Sequence, residues 1–137
     1  MKNFIMSIIF LFPFYSQAQE VVYHCPNISD IEYSKWIKGN FEAKTNYSGL
    51  NVQWGSFQSF PEKEVKITEF YLAKREGCVG GSCDILCVYH NDSRINKNLF
   101  LFIRYNTIKS DSEGSGSWKD NYCFSSSPEN CQFYLTK

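Results

Sequence analysis

Six cysteines in a chain of 137 residues constrain the fold more than any other feature. Cys25, Cys78, Cys83, Cys87, Cys123 and Cys131 all lie beyond a leader-like start, and an even set in an exported chain predicts three disulfides. Cys78 and Cys83 flank Val79-Gly80-Gly81-Ser82, a flexible spacer that can close on itself. Cys123 and Cys131 flank a turn-like spacer, Phe124 to Asn130, that can be clipped in the same way, and Cys25 is then left for Cys87. Spacing alone leaves the other pairings open. A short closure contributes about 2 kcal/mol and one of many tens of residues about 4–5 kcal/mol, so a bridge from Cys25 to a distant strand matters most to stability. The rival chemistry is a metal: Cys78-x4-Cys83-x3-Cys87, with His90 three residues on, superficially resembles a zinc ligand run. That spacing is not a standard zinc pattern, and thiols outside the cytoplasm are oxidised. A catalytic cysteine served by His24 or His90 would require one thiol to stay unpaired. The sequence therefore predicts no metal and no cofactor.

The leader is Met1 to Ala18. Lys2 supplies its positive end, Phe4 to Tyr15 its apolar core, and Ser16-Gln17-Ala18 small residues at the cleavage positions before Gln19. The apolar run holds Pro13 and is too short for a comfortable bilayer span, which argues against an uncleaved anchor. Bulky Val22-Tyr23-His24 before Cys25 argue against a lipid attachment site. The expected mature protein is one domain, residues 19–137, periplasmic or secreted and with no membrane insertion after signal removal. Lys+Arg and Asp+Glu are both 14, and the near-neutral balance gives no electrostatic case for nucleic acid or an anionic membrane as the main partner.

Beyond the leader, short alternating apolar runs broken by Gly, Asn, Asp and Ser read as strands and turns. Asp30 to Trp36 reads as a strand in preference to a short helix, because Ile, Tyr and Trp dominate it, although Ser29 and Glu32 have capping-box spacing. Asn40 to Thr45, Leu50 to Trp54 and the stretch from Val65 into Phe70-Tyr71-Leu72-Ala73 follow. Asp84 to Tyr89 is almost continuously apolar, as for a strand buried on both faces, and with Asn98 to Tyr105 it forms the clearest hairpin. Ser110 to Ser117 reads as a mobile polar loop, and Tyr122 to Phe124 with Cys131 to Leu135 as a closing pair of strands. The sum is all-β: a small antiparallel sandwich or barrel of about 7–8 short strands, disulfide-stabilised.

Cys25-Pro26, Trp54-Gly55, Cys87-Val88-Tyr89, Trp118, Cys123 and Cys131-Gln132-Phe133 together resemble a family of short exported bacterial proteins carrying a single domain of unknown function. The resemblance covers essentially the whole mature chain and rests on scattered Cys and Trp positions. It implies export and a compact β fold, and it brings no catalytic residues. Against its four-cysteine pattern Cys78 and Cys83 look like an addition, a second reason to join them. Richness in Asn, Lys, Ile and Phe with only three alanines also suggests a bacterial host.

Catalytic motifs do not assemble. Gly80-Gly81 is no phosphate loop, and Gly114-Ser115-Gly116-Ser117 lacks the strand-to-helix setting of a nucleophile elbow. Glu62, Glu64 and Glu69 alternate with lysines as solvated strand-face charges do. Nineteen aromatic residues remain after the leader, and Trp36, Tyr47, Trp54 and Trp118 lie beside turns, where exposed rings suit sugar stacking or protein contact. The reading is a non-enzymatic binding domain for a protein or a glycan. Its rivals are a small secreted hydrolase using His24 or His90, and an enzyme inhibitor presenting the Cys78–Cys83 loop.

Overall fold

The computed structural model describes residues 22–60, 65–94, 96–104, 109–111 and 118–136; for 109–111 and 135–136 the backbone alone is described. The leader, Glu62, Glu64 and residues 112–117 of the stretch read as a polar loop lie outside these residues. Among the described residues eleven strands form: β1 Val22–Tyr23, β2 Ile31–Tyr33, β3 Phe41–Tyr47, β4 Leu50–Gly55, β5 Ile67–Val79, β6 Ser82–Asn91, β7 Asn98–Ile103, β8 Lys109–Asp111, β9 Trp118–Lys119, β10 Tyr122–Phe124 and β11 Phe133–Thr136. Every pairing is antiparallel. The fold is all-β, with more strands than the alternation pattern suggests, because β1, β2, β8, β9 and β10 are only two or three residues long.

One ladder runs β2-β3-β4-β7-β6-β5-β10-β9. A branch leaves the turn end of β6 as β8-β11-β1 and folds back over the inner face. Contact across the two layers is aromatic: Trp54 lies edge-on to Phe133 at 6.4 Å and Tyr23 edge-on to Tyr47 at 4.9 Å. The core so enclosed is Phe41, Ala43, Val52 and Trp54 from β3–β4, Leu99 and Leu101 from β7, Ile85, Cys87 and Tyr89 from β6, and Phe70 and Ala73 from β5.

Local chemistry explains the hairpins. Ser48-Gly49 and Gly80-Gly81 are two-residue connections with both residues at positive φ, the turn whose twist matches paired strands. Next to the second turn, the register shift that places Gly77 (φ 56°) and Cys78 opposite Cys83 is a glycine bulge. That bulge brings the two cysteines face to face, and Cys78–Cys83 is a disulfide with a Cα separation of 4.1 Å. Cys25–Cys87 ties the segment after β1 to the centre of β6, and Cys123–Cys131 spans the 3-10 turn Pro128–Asn130.

Three readings of the sequence need correction. Ser110 and Asp111, read as the start of a polar loop, belong to β8, where they pair with Cys83 and Ser82. Asp30 to Trp36 is neither one strand nor one helix: a 3-10 turn at Ile28–Asp30 leads into the short β2, and the chain turns again after Tyr33. The segments 122–124 and 131–135 do not pair with each other. β10 pairs with β5 and β9, β11 with β1 and β8, and the Cys123–Cys131 disulfide joins the two segments.

Candidate binding surface

The central strands carry apolar side chains on both faces. Inward, Phe70, Ala73, Cys87 and Tyr89 enter the core. Outward, register places Leu72 opposite Val88, Val88 opposite Phe100, and Leu86 opposite Phe102, while β10 adds Tyr122 beside Lys74 and Phe124 beside Leu72. Leu72, Leu86 and Val88 form a second, smaller cluster with Phe100 and Phe102 against it. No described layer covers this side, and its rim is aromatic and open: Tyr71, Tyr122 and Phe124 are 42, 40 and 57% exposed, and Phe57 is 80% exposed.

Its geometry is ordered. Tyr71, at the bulge between Phe70 and Leu72, stacks on the His90 ring at 4.4 Å and meets Phe124 edge-on at 5.7 Å. Tyr122 and Phe124 lie 6.1 Å apart and nearly parallel. The ammonium of Lys74 sits 5.3 Å from the centre of the Tyr122 ring and 2.9 Å from Glu76. The Glu76 carboxylate first, and the Tyr122 hydroxyl next, raise the Lys74 pKa above the ordinary lysine value. At the far side Phe57 leans on Phe102 at 5.6 Å. The Gln58 amide holds that segment: it donates to the Asn98 carbonyl (2.9 Å) and accepts from the Phe100 N–H (2.8 Å), standing in for a neighbouring strand. A cleft of about 150 Å³ among Phe57, Glu76, Asp84, Phe102 and Arg104 ends the strip.

The four aromatic residues singled out from sequence do not gather into one surface. Trp54 has no exposed area; its indole N–H donates to the Thr45 hydroxyl at 2.9 Å, and it belongs to the core and not to a binding surface. Trp118 is half-buried, donates to the Gln132 carbonyl (2.6 Å) and stacks on the Arg75 guanidinium at 4.1 Å. Tyr47 is also half-buried and donates its hydroxyl to the His24 carbonyl, with burial the main cause of a pKa pushed up to about 12. Only Trp36 stands out, 86% exposed, at the opposite end of β3 from Tyr47. Sequence reasoning missed Tyr71, Tyr122, Phe124 and Phe57. The available signal was Tyr122 and Phe124 alternating with a bridged cysteine, since a cysteine fixed inward turns its neighbours outward.

All six cysteines are in disulfides, which removes the thiol and zinc readings. His24 contacts the Cys25 carbonyl at 2.7 Å and the edge of Tyr47. His90 Nδ1 lies 2.6 Å from Glu69 Oε1 on the open outer face, with side chains 35 and 61% exposed. Comparison with family models, with curated proteins and with solved structures finds no match for this chain.

Proposed function

We propose that the protein is an exported, non-enzymatic interaction domain that meets a protein partner through the outer face of β10-β5-β6-β7. One observation carries the reading: a small buried apolar cluster of Leu72, Leu86 and Val88 is ringed by exposed aromatic side chains, the Lys74–Glu76 ion pair and the His90–Glu69 hydrogen bond. Exposed aromatic anchors beside charged side chains are the anatomy of a protein–protein contact, and Tyr71, Tyr122 and Phe124 gathered on one face differ from singly scattered apolar residues. Export is supported by the leader-like residues 1–18 and by three disulfides, which suit an oxidising compartment. The resemblance to short exported bacterial proteins fits the same assignment.

The test is a photoreactive amino acid placed at Phe124, with one at Val79 on the hairpin tip as control, in protein exposed to envelope fractions. A discrete cross-linked protein at position 124, absent at 79 and competed by unlabelled protein but not by its Tyr122→Ser variant, is the expected result. Cross-linking that is equal at both positions, or competed instead by oligosaccharides, overturns it. A second reading, hydrolysis, rests on the His90–Glu69 pair, since a carboxylate that orients an imidazole is part of many acid–base sites. The contacts seen at His90, Glu69 and the Tyr71 ring, supply orientation and no nucleophile. An esterase or glycosidase activity lost in His90→Ala would establish that reading.

A further inference from the structure

The turn between β2 and β3 is built independently of the outer face and carries a different chemistry. Its sequence is Lys35-Trp36-Ile37-Lys38, and residues 34–40 include no acidic side chain. Trp36 is 86% exposed and Ile37 45%, with both lysines exposed beside them. Large apolar side chains at a loop tip normally fold back onto the domain. Here the turn is held so that they do not.

The Ser34 hydroxyl oxygen accepts from the N–H groups of Trp36 (3.2 Å) and Ile37 (3.1 Å). The Tyr33 hydroxyl accepts from Gly39 N–H at 2.7 Å, Ser34 N–H donates to Asn40 O at 2.8 Å, and Asn40 N–H donates to Ile37 O at 3.1 Å. Gly39 fixes the exit: its φ is +91°, its carbonyl accepts from Phe60 N–H, and a Cβ there would stand 2.7 Å from the Ser59 hydroxyl. The N–H groups of Ser34, Trp36, Ile37, Gly39 and Asn40 are thus met internally, which lowers the desolvation cost of placing this segment at a low-polarity boundary.

We infer that this turn is a membrane-interface contact, in which Trp36 and Ile37 enter the headgroup region of an anionic bilayer while Lys35 and Lys38 pair with its lipid phosphates. Tryptophan is the side chain most suited to that depth, having an apolar body and one N–H for the wet side, and flanking lysines supply attraction to negative headgroups. The commitment to a lipid surface and not to a protein comes from charge. Lys35 and Lys38 flank the exposed apolar pair, and residues 34–40 carry no acidic side chain to offset them. The described carboxylates nearest in sequence, Glu32 and Glu42, lie back on the strands, where the Ser34 hydroxyl donates to Glu42 at 3.3 Å. The contact is peripheral and reversible.

The experiment uses the mature disulfide-bonded protein with vesicles of phosphatidylcholine alone, or with about 30% phosphatidylglycerol to give the negative surface potential that lysines sense. Of the three tryptophans Trp54 is fully buried and Trp118 half-buried, so a blue shift in emission on binding reports Trp36. The expected result is a blue shift and co-sedimentation with the anionic vesicles, both weakened by salt. With about five-fold attraction per lysine, the preference for anionic over neutral vesicles is on the order of thirty-fold. Trp36→Ala removes the shift and Lys35→Gln/Lys38→Gln the preference, while Phe124→Ala changes neither, which separates this site from the outer face. No shift with anionic vesicles at low salt, equal binding to both vesicle types, or full binding by Trp36→Ala overturns the assignment. A shift produced only by soluble envelope proteins overturns it in favour of a protein contact.

Discussion

The inner and outer faces of β5 and β6 are made from the same kinds of residue and meet opposite fates. Inside, Cys87 is bonded to Cys25, and the hydroxyl of fully buried Tyr89 donates to the Pro26 carbonyl at 2.6 Å. Both contacts draw the segment 24–26 down as a lid, and Tyr47 adds a third through the His24 carbonyl. Outside, Leu72, Leu86 and Val88 are buried too, but in a small cluster of their own with Phe100 and Phe102 packed against it. The difference lies in the covering chain and not in the strands. One face is closed by a distant segment tied to it covalently, and the other has no such segment among the described residues.

The contrast is broken most severely by cutting the lid loose. Replacing Cys25 and Cys87 with serine opens a loop closed across a separation of 62 residues, and urea unfolding should show a loss of about 4 kcal/mol. Raising the pH acts on the same lid more gently. The Tyr47 pKa is raised from 10.0 to about 12, chiefly by burial, so the unfolded chain loses this proton before the folded one does. Its stabilising contribution is complete below pH 10, falls as pH rises from 10 towards 12, and amounts to roughly 2–3 kcal/mol. Tyr89 shifts in the same direction. Alkaline unfolding should begin above pH 10, and Tyr47→Phe should remove part of that dependence. The hairpin tip lies outside the lid altogether. Cys78 is exposed whereas both partners of the other two bridges are fully buried, so mild thiol reductant should open Cys78–Cys83 first, read by mass after alkylation. That opening should reduce stability by about 2 kcal/mol and leave the core strands protected.

How much of this was written in the sequence follows the same division. The disulfides were legible because glycine and serine spacers mark short closures, and the three pairs suggested by spacing are those that form. The long strands were legible by alternation, and Ile85 to Tyr89 is buried on both sides as its composition implies. The outer surface was not legible. A doubly apolar strand does not say which face is covered, and that depends on β11 and β1, far away along the chain. For the same reason Trp54 and Trp36 looked alike, each beside a turn, although one became the core and the other the most exposed tryptophan. The pairing of 122–124 with 131–135 misled because a disulfide brings two segments together without making them share a ladder.

The most direct measurement is also the one with the smallest expected effect. If the outer face is a contact surface and not a missing layer of the core, Tyr71→Ser/Phe124→Ser should unfold in urea within about 1 kcal/mol of the parent, as exposed side chains do. A loss of about 3 kcal/mol or more, the range of a core truncation, would show that these rings hold the fold together and would contradict the separation of the two faces.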